Sequence, residues 1–292
     1  VSSEPVFANY SQAELDSQYN ASGTVPSVDP YFAAYIAASE KVRAELPHEA
    51  NVAYGAHERE RVDLFPASRP DAPLFVFIHG GYWRRMDSSF FSYVAGPIVR
   101  AGGAAAIVAY PLAPGASLDD IVASVTAAFE FIVANAATRL KASPHGIVVG
   151  GHSAGGQLSG MLASIDWQAR GIDASIGAVF GLSGLYDLEP VRRSNVNDWM
   201  NLDAAAAARN SPSGNMPSRP ISLFAAVGAD ETDEFRRQSR DFAVGWGAAG
   251  YPAEALDLPG HNHFSIVLEL ADDSNDLTRR LIAALGLAAP KP

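Results

Sequence analysis

"GIVVGGHSAGGQLSG" (residues 146–160) is an apolar run that breaks at a glycine-flanked serine and resumes with helix-compatible residues. Its first half has the composition of a strand buried on both faces. A strand that turns straight into a helix leaves no room for side chains two positions before and two after the apex. Gly151 and Gly155, which lack a Cβ, stand at those positions. Such a turn holds its apex side chain, here Ser153, out above the end of the sheet. An ordinary glycine-rich turn is the competing reading, and the two are told apart by whether the chain supplies partners for a nucleophilic serine.

Working outward, "NVAYG", "RVDLFPA", "LFVFIHG" and "GAAAIVAYP" precede the elbow as strand candidates, and "IGAVFGLSG", "ISLFAAVG" and "AEALDLPG" follow it. Helix-like stretches separate most of them. The clearest starts with a capping-box pattern at Ser117 and Asp120 and repeats Leu118, Ile121, Val122, Val125, Phe129, Ile132 and Val133 at helical spacing. The alternation predicts an α/β fold with a mostly parallel central sheet and helices on both faces. Residues 1–50 are expected to form an N-terminal helical arm or cap, and residues 51–292 the main domain. Within that domain, residues 186–220 read as a helical, lid-like excursion, with a solvated linker as the alternative.

A chain of 292 residues with 48% hydrophobic and 18% charged residues has ample material for a core. Its formal charge of −11 argues against nucleic acid or an anionic membrane surface as partner, since both select basic patches. The absence of cysteine removes disulfides and thiolate metal sites. The first residues lack the pattern of a signal peptide, and no apolar segment is expected to reach membrane-spanning length, which points to a cytoplasmic protein.

A serine hydroxyl becomes a useful nucleophile when a base accepts its proton and a third group holds that base in the right tautomer. Asp230 and Glu231 follow one later strand; His261 and His263 follow the next. The order serine, acid, histidine at successive strand ends is the order of one large class of serine hydrolases. Gly80 and Gly81, ending the "FIHGG" strand, and the N–H of Ala154 are the candidates for an oxyanion hole. "HNH" invites a metal reading, but no cluster of further ligands accompanies it, and no metal is expected.

With these motifs in view the sequence resembles the hormone-sensitive-lipase-like branch of the α/β-hydrolases, and more closely the arylformamidase (kynurenine formamidase) family. "YGAHERERVDLFPA", "FIHGGYWRRMD", "IVAYPLAP", "GHSAGGQL", "SGLYDLEP", "ARNSP", "EFRRQS" and "GHNHFSIV" carry the likeness over nearly the whole chain. "HGGYW" and "SGLYDLEP" are its more specific parts. The resemblance implies that Ser153 is the nucleophile and that His263, directly before Phe264, is the base. It places the acid three residues after Gly228, favouring Glu231 over Asp230. It also implies hydrolysis of a small aryl formamide of the N-formylkynurenine type, with no cofactor. A carboxylesterase or another amide or carbamate hydrolase on the same scaffold is the alternative, and a non-catalytic ligand receptor a remoter one.

Tyr82, Trp83 and Tyr186 stand next to these motifs and are candidates for a flat wall against an aryl ring, with core packing as the competing role for Trp83. The expected partner is a small aryl amide or ester. The oligomeric state is left open between monomer and homodimer.

Overall fold

Each apolar run singled out above is a strand of one eight-stranded sheet in the computed structural model, which describes residues 4–288. The strands are β1 Glu49–Ala53, β2 Arg61–Phe65, β3 Leu74–Ile78, β4 Ala104–Val108, β5 Ile147–His152, β6 Ile176–Leu182, β7 Ser222–Gly228 and β8 Ala253–Leu258. Their order in space is β1-β2-β4-β3-β5-β6-β7-β8. Only β2 runs against its neighbours, antiparallel to both β1 and β4. Every residue of β3, β4 and β5 is buried, which is why these runs are apolar without alternation.

Successive residues of a strand face opposite sides of the sheet, so one strand feeds two cores. Val76, Ile78 and Val149 enter one core; Phe75, Phe77 and Val148 enter the other. The helices follow the same division. In chain order they are α1 Gln12–Gln18, α2 Asp29–Glu45, α3 Ala95–Arg100, α4 Leu118–Asn135, α5 Ala154–Ser164, α6 Glu189–Arg193, α7 Asn197–Met200, α8 Ala204–Arg209, α9 Asp233–Ala248, α10 Ser265–Leu268 and α11 Asp276–Ala284. Helices α4, α5 and α9 cover the first face, through Phe129, Leu158 and Phe242 among others. Helices α2, α3 and α11 cover the second, through Tyr35, Ile98 and Leu281.

Helix α4 begins at the expected capping box, in which Asp120 N–H donates to Ser117 Oγ at 3.2 Å and Ser117 N–H to Asp120 Oδ2 at 3.0 Å. One expectation needs correcting here. Leu118–Leu140, at 23 residues, is long and apolar enough by length and composition to cross a membrane. The helix owes that composition to its place in the fold: Ile121, Val125, Phe129 and Ile132 are fully or almost fully buried against the sheet.

Of the first fifty residues, those from residue 4 onward are described; they are helical in α1 and α2 and join the main body. Leu15 and Tyr19 lie in one core, Tyr35 and Val42 in the other. Residues 186–220 form the helical excursion α6 to α8 between β6 and β7. The strand order reverses at β3 and β5, which sit side by side although the chain runs through β4 between them. In open α/β sheets a crevice opens at such a point, beyond the carboxyl ends of the strands.

Candidate active site

Ser153 sits at the carboxyl end of β5 with φ 57° and ψ −117°, a conformation that costs a non-glycine residue on the order of 1–3 kcal/mol. The surroundings over-determine it. Ser153 N–H donates to Leu182 O at 2.8 Å, and α5 starts at the very next residue. A Cβ on Gly151 would collide with the carbonyl of Gly155, and one on Gly155 with the carbonyl of Ile78. The two glycines are what allows a strand, a turn and a helix to pass this close.

Ile78 pairs with Gly151 in register, so the chain leaving β3 arrives beside the elbow. A Cβ on Gly80 would lie 3.1 Å from Ser153 Cβ. Gly81 follows at φ 111°, then Tyr82 at 51° and Trp83 at 56°, a run of left-handed residues that curls the loop around the end of the sheet. Ala154 is the first residue of α5, and its N–H belongs to the first turn, which has no acceptor within the helix.

Glu231 and His263 meet at the ends of β7 and β8. His263 Nδ1–H donates to Glu231 Oε2 at 2.7 Å, with both side chains almost wholly buried. The other carboxylate oxygen, Oε1, accepts from Gly228 N–H at 2.8 Å and from Ser183 Oγ at 2.5 Å. A carboxylate held by three donors is fixed in place and satisfied without solvent. Asp230 is exposed. His261 lies beside Glu269, its Nε2 3.6 Å from the carboxylate, facing a different groove.

Ser153 and His263 line one narrow cavity of about 30 Å3. Its other walls are Phe32, Tyr35, Tyr82, Met86, Phe91 and Phe264, with Ala21, Ser22, Gly81, Arg85 and His152 completing it. The structure therefore keeps Tyr82 at the cavity and places the other two aromatic candidates elsewhere. Trp83 is fully buried and donates from Nε1 to Gln157 Oε1 at 3.0 Å. Tyr186 is stacked on Phe242 at 4.1 Å between ring centres, within the core. The reason is local: two consecutive left-handed residues turn Trp83 away from the face that Tyr82 presents, and Tyr186 fills the space left by Gly181 and Gly184.

Four of the remaining cavity residues, Ala21, Ser22, Phe32 and Tyr35, come from the N-terminal arm. Phe32 and Tyr35 are one helical turn apart on α2, a spacing visible in "PYFAAYIAAS" but carrying no sign of which surface it would meet. The arm is also tied to the loop after β3, since Tyr82 Oη donates to Tyr19 O at 2.5 Å. Tyr19 Oη in turn donates to Glu234 Oε2 at 2.9 Å and accepts from Gln238 Nε2 at 3.0 Å. Ser183, in "SGLYDLEP", was legible only as part of a motif; its contact with Glu231 follows from β6 and β7 being neighbours.

Residues 75–266 match a family described as having the alpha/beta hydrolase fold. A kynurenine formamidase of Danio rerio is 30% identical over 289 residues, covering 94% of this chain and 97% of the relative. The chain belongs to the kynurenine formamidase family of α/β-hydrolases. A kynurenine formamidase of Drosophila melanogaster is also 30% identical, over 76% of this chain and 77% of the relative. Among solved structures, a Silicibacter protein provisionally described as a thioesterase superposes with a TM-score of 0.80 at 30% identity, covering 94% of this chain and 99% of that one. A Pyrobaculum calidifontis esterase superposes with a TM-score of 0.68 at 18% identity, over 89% of this chain and 92% of that one, a likeness of fold.

In this α/β-hydrolase two further histidines stand behind the elbow. His152 Nε2–H donates to the backbone oxygen of His263 at 2.8 Å, and the two rings lie 4.6 Å apart. Burial, and then the nearby charge of His263, hold the His152 pKa well below the usual histidine value, so it is a neutral strut under His263. His79, at the end of β3, is fully buried, stacked on Tyr110 at 4.3 Å, and donates from Nδ1 to Gly80 O at 2.7 Å. Burial lowers its pKa to about 4.

That shift makes a stability prediction. Between the unfolded value of about 6.5 and the folded one, the unfolded chain binds a proton that the native chain refuses, so stability rises with pH and is lost as pH falls. His79 alone accounts for a loss of about 2 kcal/mol between pH 7.5 and pH 5. Urea unfolding at both pH values should show a smaller loss for His79→Gln than for the unaltered protein. Equal losses would mean that His79 takes up its proton in the folded state.

Proposed function

We propose that this hydrolase removes the N-formyl group from an aryl formamide of the N-formylkynurenine type through an acyl-enzyme intermediate. Ser153 Oγ attacks the formyl carbon while His263 Nε2 takes its proton. Glu231 holds Nδ1–H and stabilises the imidazolium that results. The N–H groups of Ala154 and of the Gly80–Gly81 turn receive the oxyanion. Collapse breaks the C–N bond, His263 returns the proton to the leaving aryl amine, and the formyl group stays on Ser153. A water, deprotonated by the same imidazole, then releases formate and restores the serine.

The observation that carries this reading is the narrow aromatic cavity at which Ser153 and His263 meet. About 30 Å3 is room for roughly two water-sized groups. A formyl group, with only hydrogen on its carbonyl carbon, fits that space, and Tyr82, Phe91 and Phe264 offer apolar surface to an aryl leaving group. The family relatives named kynurenine formamidase support the same choice.

The test is a series of acyl groups on one aryl leaving group. We expect kcat/KM to be highest for formyl or acetyl and to fall with each added methylene. A methylene that cannot be accommodated costs on the order of 1–3 kcal/mol, or about a 5- to 150-fold loss per step. Activity that peaks at butyryl or hexanoyl would replace the formamidase reading with that of a general esterase.

A further inference from the structure

We propose that Arg85 binds a carboxylate on the leaving-group side of the substrate, so that this hydrolase prefers aromatic acids to neutral aryl formamides or esters. The proposal rests on the reading above and names the feature of the substrate that selects it. Of the residues lining the cavity, Arg85 alone bears a fixed charge, and no carboxylate lines it. Arg85 lines the cavity and is also exposed, so its charge can meet an anion on a leaving group that extends from the cavity toward solvent.

Arg85 differs from most arginines of this acidic chain. Arg100, Arg139, Arg170, Arg209 and Arg280, for example, each pair with an aspartate or glutamate. Among the described residues no carboxylate lies within 4 Å of Arg85. Its two nearest relatives in the loop region are also committed elsewhere. Arg84 stacks its guanidinium on Trp199 at 3.8 Å, and Arg59 donates to the Tyr110 and Met86 carbonyls. Arg85 is solvent-accessible, yet the protein around it lowers its pKa, first by desolvation and then by the charge of Arg84, with Tyr82 opposing. Among the described residues no carboxylate compensates that cation as a bound anion would.

Its backbone is anchored where a recognition group is useful. A Cβ on Gly81 would run into the Arg85 carbonyl, and Arg84 N–H donates to Gly81 O at 3.1 Å, so the arginine rides on the same tight turn as the glycines assigned to the oxyanion. A carboxylate held at this turn registers the substrate relative to Ser153. The planar fork of arginine can accept it through two parallel hydrogen bonds, which lysine cannot do.

The test compares N-formylkynurenine with its α-carboxamide, which has nearly the same shape without the negative charge, by formate release. In the unaltered protein we expect kcat/KM to favour the acid by about 10- to 100-fold, the range for a charge-assisted hydrogen bond. Arg85→Gln should bring that ratio close to one, and Arg85→Lys should keep part of it. Because the ratio is taken within each variant, a lower folded fraction cancels. A preference that survives Arg85→Gln, or none in the unaltered protein, overturns the proposal.

If neither formamide is cleaved, the formamidase reading fails by itself, and the ratio is read on 4-acetoxybenzoate against 4-acetoxybenzamide with the same criteria. Should Arg85→Gln not fold, competitive inhibition of the unaltered protein by kynurenine and by kynurenine amide decides. Inhibition at least about tenfold stronger by the acid supports the proposal, and equal inhibition overturns it.

Discussion

Ser153→Ala will lower kcat by about 10⁴- to 10⁶-fold on the best substrate and leave the fold standing, because groups that act as one unit lose most of their effect when any one is removed. Alanine keeps the Cβ that already sits at φ 57°, so the strained elbow is not strained further, and the Leu182 carbonyl keeps its backbone donor. The substitution removes one oxygen from the edge of a cavity. His263→Ala should cost a similar factor in kcat but is a poorer test alone. It also removes a ring packed against Phe235 at 4.5 Å and leaves the Glu231 carboxylate buried without one of its donors. Measuring kcat together with thermal unfolding separates the two effects. A folded Ser153→Ala protein that retains more than about a tenth of the original kcat would end the serine-hydrolase reading.

The scaffold and the site were legible to different depths for physical reasons. A strand buried on both faces must be apolar throughout, and a strand-to-helix elbow must have glycine where backbones touch, so β3, β5, Gly151 and Gly155 carry their positions in their own composition. The pairing of Ile78 with Gly151 is made across the point where the strand order reverses, and it places Gly80 beside Ser153. The cavity wall has no such local signature. Phe32, Tyr35, Phe91 and Phe264 are aromatic residues on half-apolar segments, and whether each faces the core or the cavity is decided by contacts with segments distant in the chain. Tyr35 Oη donating to Phe264 O at 2.6 Å is one such contact. Trp83 shows the limit most clearly. It neighbours Tyr82 in sequence, yet the left-handed turn at both residues sends one ring to the cavity and the other to Gln157.

Glu231→Gln will lower kcat by about 10³- to 10⁴-fold, whereas Asp230→Asn will change it by less than about twofold. The difference follows from what each carboxylate touches. Asp230 is exposed, and it is its backbone N–H, donating to His261 O at 3.0 Å, that the fold uses. Glu231 folds its side chain back over its own turn, so that one oxygen accepts from Gly228 N–H and Ser183 Oγ while the other accepts from His263 Nδ1–H. An amide has only one oxygen. Placed toward Gly228 and Ser183, it turns its NH2 toward His263, and Nδ1 must then become an acceptor. The proton moves to Nε2, the nitrogen that has to receive the Ser153 proton, and the base is lost without any change of shape. The opposite placement keeps the tautomer but sets NH2 against the Gly228 N–H and gives no negative charge to an imidazolium. Either way turnover falls, and KM should move much less than kcat. Equal effects of the two substitutions, or a larger one for Asp230→Asn, would transfer the orienting role to Asp230 and leave the buried carboxylate as a structural tie between β6, β7 and the His263 loop.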